Sequence, residues 1–273
     1  MERPDRIALL GAEVDLVTPA EVMESVAAFA AAGRLAVIAN HNSHSLYLLK
    51  REPQLAAFFR AADLIEIDSR PMILWAQLLG LPVRGRHRCT YLDWRADFWS
   101  LAEQKGWRVF YLGGAPGVAE AGAERLRQRW PGLNLAVRHG YFDARPESEE
   151  NLEVVGQIRE FDPHVVLVGM GMPRQEAWIH ENRAAFRRGV FMPVGAAMDY
   201  EAGVQSVAPR WLGPIGLEWL YRLATQPRRL AFRYLVEPWS LLPAMGRDVA
   251  ARLKRSRGRP GSAQAVGAGN GRR

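Results

Sequence analysis

The sequence predicts an α/β fold: a Rossmann-like, mostly parallel sheet with helices on both faces, followed by a C-terminal helical appendage. Three observations predict it. Short apolar runs alternate with helix-like segments as far as Gly203, the pattern of a parallel sheet covered on both faces. After Gly203 no strand signal follows. The charge also changes there: residues 1–205 hold 23 Lys+Arg and 26 Asp+Glu, whereas residues 206–273 hold 13 and 3.

The elements follow in order. Thr18-Pro19-Ala20-Glu21 is a capping box with proline at the first helical position, so a helix starts there. Leu35–Asn40, Leu64–Ile67, Arg108–Gly114, Leu133–Gly140, His164–Gly171 and Val190–Gly195 read as strands. Helical spacing covers roughly Pro53–Ala62, Leu92–Lys105, Gly117–Trp130, Glu147–Phe161 and Pro173–Arg183. Beyond Trp211 the chain reads as two or three short helices broken at Pro214, Pro227 and Pro238, with tryptophan, tyrosine and phenylalanine interleaved with arginine. The expected division is therefore an α/β unit over 1–205, a basic aromatic appendage over 206–255 and a disordered low-complexity tail over 256–273.

Composition sets limits. A chain of 273 residues with 48% hydrophobic and 24% charged residues can bury a sizeable core. The single cysteine, Cys89, excludes a disulfide within the chain and fits a reducing compartment. The acidic N-terminal stretch predicts no signal peptide, and no apolar run reaches 18 residues, so no spanning helix is expected. The basic last quarter suggests an acidic partner, either a membrane surface or nucleic acid.

In open α/β sheets ligands bind at the carboxyl ends of the strands, so the strand ends supply the candidates. Gly113 and Gly114, and Gly169 and Gly171, place bare amides near helix starts, which suits a phosphate; tight turns alone would also require glycine. Arg174 and Gln175 are possible sugar or phosphate contacts, or parts of a solvated first turn in which Glu176 serves the helix dipole. Asp68 ends a strand, where it is either a functional carboxylate or the cap of a helix starting near Pro71. Asn40, His41, Asn42 and His44 cluster at another strand end, and no third metal ligand accompanies the two histidines. Arg84, Arg86 and Arg88 form a solvated basic loop or a diphosphate clamp. Glu218 and Arg222 have the spacing of an i,i+4 pair. No Asp-x-Asp pair offers a magnesium site for a nucleotide diphosphate.

The order of these motifs carries more than any one of them. "LGGAPGVAE", "HGYF", "DPHVVLVGMGMPRQEAWI", "PVGAAMDYEAG" and "APRW…GLEWLYRL…QPRRLAFRYL" follow one another over roughly residues 7–236. Together they resemble the WecG/TagA/CpsF glycosyltransferase family. The resemblance implies a bacterial, inverting, metal-independent enzyme without a cofactor. It would move a sugar from a UDP-sugar to a polyprenyl-diphosphate-linked acceptor, in exopolysaccharide or cell-wall polymer synthesis. It also implies a membrane-associating appendage at the cytoplasmic face of the cell membrane, with no nucleic-acid partner.

By the same resemblance, Asp68 falls on the proposed general base and Arg88 faces a diphosphate. Cys89 and Tyr91 replace a valine and a glycine of that motif, with Asp93 in place. Gln175 matches the family's glutamine, and Asn42 an asparagine near the donor sugar. Tyr141 and Asp199 fall near the nucleotide, and the catalytic candidates to stabilise the departing diphosphate are Arg88 with Arg210 and Arg222 of the appendage. Asn40 stands where threonine is frequent, Ser69-Arg70 where small residues are, and Val207 where an arginine is; Asn40 and Arg70 bear on the sugar pocket, so the donor sugar is left open. Two rival readings follow from the residues alone. A nucleotide-dependent oxidoreductase would want a clean GxGxxG turn, which is missing. A nucleic-acid-binding module would use the arginine–aromatic segment and leave the upstream motifs idle.

Overall fold

The computed structural model describes residues 4–212 and 216–257, without the side chains of Arg210 and residues 255–257. Pro214 and the expected tail beyond residue 257 lie outside the described residues. Six parallel strands form the main sheet: β3 (Leu35–His41), β4 (Leu64–Ile67), β5 (Arg108–Gly113), β6 (Asn134–Arg138), β7 (Val165–Gly169) and β8 (Gly189–Pro193). Their order is β4-β3-β8-β7-β5-β6. A separate antiparallel hairpin, β1 (Arg6–Leu9) and β2 (Ala12–Asp15), precedes them.

The helices are α1 (Pro19–Ala31), α2 (Ser43–Leu48), α3 (Pro53–Arg60), α4 (Arg70–Leu78), α5 (Tyr91–Gln104), α6 (Val118–Arg129), α7 (Glu149–Phe161), α8 (Arg174–Asn182) and α9 (Ala197–Glu201). The C-terminal quarter adds α10 (Glu218–Thr225), α11 (Pro227–Leu235) and α12 (Leu242–Arg257), with a 3-10 turn at Glu237–Leu241. The expected strands and main helices of the sheet region are all present. The hairpin, α2, α9 and the length of α12 were not expected from the sequence.

A period of two builds the core. On β7, Val166 and Val168 enter one apolar cluster with Phe58, Ile73, Val154 and Trp178 from α3, α4, α7 and α8. Val165 and Leu167 enter the other, with Val22, Trp94, Phe98 and Leu126 from α1, α5 and α6. Both faces of β7 are therefore dry, and each fully buried aliphatic or aromatic side chain contributes about 1.5–3 kcal/mol. The hairpin is tied to this sheet by the buried Asp15, which accepts from Arg6 at 2.8 Å and from the Ile65 amide at 2.7 Å.

The C-terminal helices dock on the sheet region through polar contacts. Asp248 of α12 accepts from the Leu10 amide at 2.9 Å and from the Trp75 indole at 3.0 Å. Glu237, buried in the 3-10 turn, meets His44 at 2.7 Å. These bonds place α10 and α11 over the carboxyl edge of the sheet. Among the described residues no helix is long and apolar enough to cross a membrane.

Glycines at that edge allow close approach. A Cβ on Gly169 would collide with the Tyr111 hydroxyl and the Gly195 carbonyl. Gly169→Ala should therefore destabilise the fold by about 1–3 kcal/mol in urea titrations, as overpacking does. Gly156, exposed on α7, has nothing within 4 Å of its would-be Cβ. Gly156→Ala should instead stabilise by about 0.5–1 kcal/mol.

Candidate active site

Parallel strands bring their carboxyl ends to one edge, and the alternation of side chains decides which residues face it. Asn40 on β3 pairs with Glu66 on β4, so Asn40, Asn42, Glu66 and Asp68 share one face of the sheet edge. All four line a cavity of about 660 Å³. Gly114, Gly140, Gly169, Gly171 and Gly195 from the neighbouring turns line it too, as do Tyr141, Arg174, Gln175 and Asp199. The remaining wall comes from the C-terminal quarter: Glu218, Arg222, Arg229, Arg233 and Glu237.

The structure thus gathers Asn40, Asn42, Asp68, Gly114, Tyr141, Gly169, Gly171, Gln175, Asp199 and Arg222 around one space. Gly113 is not on this wall. It is buried opposite Gly169 in the β5–β7 ladder, where any Cβ would strike the Gly169 backbone. Its missing side chain serves strand packing. The side chain of Arg210 lies outside the described residues.

A second cavity of about 410 Å³ adjoins the first. Met72 and Trp75 of α4, Trp219 and Tyr234 of α10 and α11, and Leu241 and Met245 give it apolar walls. Asn42, Asp68, Arg222 and Arg233 belong to the walls of both cavities. Arg88 lines only the second.

Asp68 does not cap a helix. The N-cap of α4 is Ser69, which makes no side-chain capping bond, whereas Asp68 accepts weakly from Asn42 Nδ2 at 3.5 Å. Burial pushes its carboxyl up to about 6, opposed by the nearby charges of Arg222 and Arg88 and by the Asn42 bond. It therefore titrates near neutrality, the range that suits a general base.

Arg88 is held on both sides. It donates to Glu218 at 2.9 Å and to both Asp93 oxygens at 3.3 Å, so it stitches α5 to α10. This also corrects the expected i,i+4 pair: Glu218 turns to Arg88 instead of Arg222. Arg222 and Arg233 form no ion pair with any described residue, and the buried Arg222 Nε has no hydrogen-bond partner. Burial works against the Arg222 charge, but Tyr200, Tyr234 and Asp68 outweigh it. Burial lowers Arg233. Two guanidiniums thus face the shared wall with their donors available to an anion.

Gln175 is a clamp. Its Oε1 accepts from the amides of Gly171 at 3.1 Å and Gly195 at 3.2 Å, joining the turns after β7 and β8. Its Nε2 donates to Glu176 at 2.7 Å. Glu176 is fully buried and pushed up to about 7 by desolvation, so it is no solvated dipole partner. Arg174 donates to the Phe142 carbonyl at 2.5 Å and lines the cavity.

The histidines have other partners than a metal. His41 points away from the site, stacks on Phe59 at 3.6 Å, and is held neutral by burial at about 3. His44 meets Glu237. Asn42 caps α2 by accepting from the Ser45 amide at 3.0 Å. Sequence reasoning missed Glu66, Trp94, Arg233 and Glu237. For Glu66 a signal existed: a charged residue inside an apolar strand, two before Asp68.

A model of the glycosyl transferase WecG/TagA/CpsF family matches residues 7–257. Among characterised relatives, the N-acetylglucosaminyldiphosphoundecaprenol N-acetyl-beta-D-mannosaminyltransferases of Staphylococcus aureus strains NCTC 8325 / PS 47 and COL are each 27% identical over 235 residues, covering 82% of this chain and 87% of the relative. The enzyme of strain MRSA252 is similar to the same extent.

The Asp68 environment has a consequence for stability. Its value of about 6 in the fold exceeds the 3.8 of a free aspartate. The folded chain then binds more protons between these values, so stability falls as pH rises through that window and stays reduced above it. Asp68→Asn removes the charge, and its melting temperature should exceed that of the wild type by more at pH 7 than at pH 4. Thermal scans at the two pH values check this; an equal gain at both would contradict it.

Proposed function

Because the chain belongs to the WecG/TagA/CpsF family of glycosyl transferases, we propose that it transfers a sugar from a UDP-sugar to a polyprenyl-diphosphate-linked acceptor, with inversion. The observation that carries this reading is the place of Asp68, on the wall shared by a polar cavity and an apolar one. A single displacement needs that arrangement: donor on one side, acceptor on the other, and a base between them.

The donor nucleotide fits the first cavity, whose glycine turns present backbone amides and whose rim carries Tyr141 and Asp199. The acceptor fits the second, whose apolar walls suit the start of a lipid. Asp68 takes the proton from the acceptor hydroxyl. The hydroxyl oxygen then bonds to the anomeric carbon as the bond from that carbon to the UDP oxygen breaks. Negative charge grows on the departing diphosphate, next to Arg222 and Arg233. These arginines supply positive charge without a metal in this reading.

Trp211, Trp219, Phe232 and Trp239 expose large apolar side chains on and beside α10 and α11 in sequence, and α11 also carries the exposed Arg228 and Arg229. This combination supports reversible attachment to an anionic membrane face, where each basic residue contributes about 1 kcal/mol. The acceptor reading needs such a location.

Two experiments test the reading. Sugar transfer is followed by UDP release in the presence of EDTA, with a polyprenyl-diphosphate sugar as acceptor. Asp68→Asn should lower turnover by at least ~100-fold while UDP still binds, and wild-type kcat/KM should decline below pH about 6. A variant keeping more than about a tenth of turnover would remove Asp68 as the base. Second, replacing Trp211 and Trp239 together by serine should weaken sedimentation with anionic vesicles without lowering UDP affinity. Unchanged sedimentation would argue against attachment through this face.

A further inference from the structure

Besides Arg222 Nε, two buried polar atoms on residues lining the first cavity have no partner among the described residues. Glu66 is 3% exposed, and its buried Oε2 makes no hydrogen bond. Trp94 is 1% exposed, and its buried indole Nε1–H finds no acceptor. Both residues line the cavity that holds Asp68. Buried polar groups are normally hydrogen-bonded, so an unmatched pair on one cavity wall marks a place for a polar ligand.

The state of Glu66 narrows the ligand. Burial first, and then the charges of Asp68 and Asp93, hold its carboxyl well above the usual carboxylate range. The nearby Cys89 thiol is turned to the Val17 and His87 carbonyls. These surroundings favour the protonated form of the carboxyl, which presents an O–H donor and a carbonyl acceptor together. Such a group suits a neutral hydroxyl or amide better than a phosphate.

Position narrows it further. Glu66 and Asp68 are two apart on one strand end, so their side chains face the same way, about 7 Å apart. In the glycosyl-transfer reading Asp68, as the base, would stand near the anomeric carbon. In that reading Glu66, one strand step deeper into the sheet, would meet the sugar ring of a donor whose diphosphate sits against the glycine turns that line the same cavity.

Resting on the glycosyl-transfer reading above, we propose that Glu66 is a specificity-determining residue that hydrogen-bonds a hydroxyl or acetamido group of the transferred sugar, with the Trp94 indole as a second contact. Neither residue touches the nucleotide part of the donor.

Calorimetry on the full chain tests this with UDP, UDP-glucose, UDP-N-acetylglucosamine and UDP-N-acetylmannosamine, using Glu66→Leu and Glu66→Gln. Both variants should bind UDP as the wild type does, which also reports that the fold is intact. Glu66→Leu should bind the preferred UDP-sugar at least ~10-fold more weakly, because a hydrogen-bonding partner is removed. Glu66→Gln, neutral and of equal size, should stay within about threefold, since it keeps a donor and an acceptor. A loss confined to the N-acetylated donors assigns the acetamido group; a loss on all donors assigns a hydroxyl. Glu66→Leu binding every UDP-sugar like the wild type would overturn the proposal, and so would an equal loss for UDP and UDP-sugars. If the wild type binds UDP but no UDP-sugar, the glycosyl-transfer reading falls and takes this proposal with it.

Discussion

A carboxylate in a pit of low dielectric keeps its charge only if cations stand near it, and Asp68 obtains them from far along the chain. Burial raises its pKa, and the first counterweight is Arg222, on α10. Of the cations that act on Asp68, the nearest in sequence, Arg88, is already bonded to Asp93 and Glu218. The strand-end carboxylate and the C-terminal helices are therefore one electrostatic unit. The sheet supplies the position, and the appendage supplies the field that sets the ionisation.

That dependence explains why the appendage is held by polar bonds. The Asp248 contacts to Leu10 and Trp75, and the Glu237 contact to His44, are directional. Apolar packing alone would tolerate sliding, whereas buried hydrogen bonds fix a register. Gln175 does the same for the opposite wall by joining two turns through one oxygen. The cavity is thus framed by hydrogen bonds in which each donor has a defined acceptor, and the few unmatched atoms stand out.

Much of the sheet was legible in the sequence because its strands are buried on both faces and read as apolar runs bounded by glycine. The hairpin was not, because its turn is Leu10-Gly11, with Leu10 at φ 55° in place of the asparagine or aspartate that signals such turns. Helix α2 spans six residues, too few for a periodic pattern. In the site, the strand-end residues Asn40, Asn42 and Asp68 and the turn residues Gly114, Gly169 and Gly171 were legible from their places at the edge. The partner of Glu218 was not. Local spacing suggested Arg222, and only the tertiary fold brings Arg88 within 2.9 Å. Gly113 and Gly114 are adjacent in sequence, yet one supports the ladder and the other faces the cavity; spacing alone does not separate these uses.

The β3–β4 register divides this edge into two sets of positions with separate histories open to them. Asn40, Asn42, Glu66 and Asp68 face the cavity, while His41 and Ile67 between them are buried in the opposite layer. Point changes at the first set can alter chemistry or selectivity while leaving the packing of the second untouched. A single-residue insertion or deletion in β4 would exchange the β4 members of the two sets, placing Ile67 in the cavity and Glu66 in the apolar layer. Lineages that share this sheet can therefore diversify here by substitution, two residues at a time along each strand, while changes of length are confined to the surrounding loops.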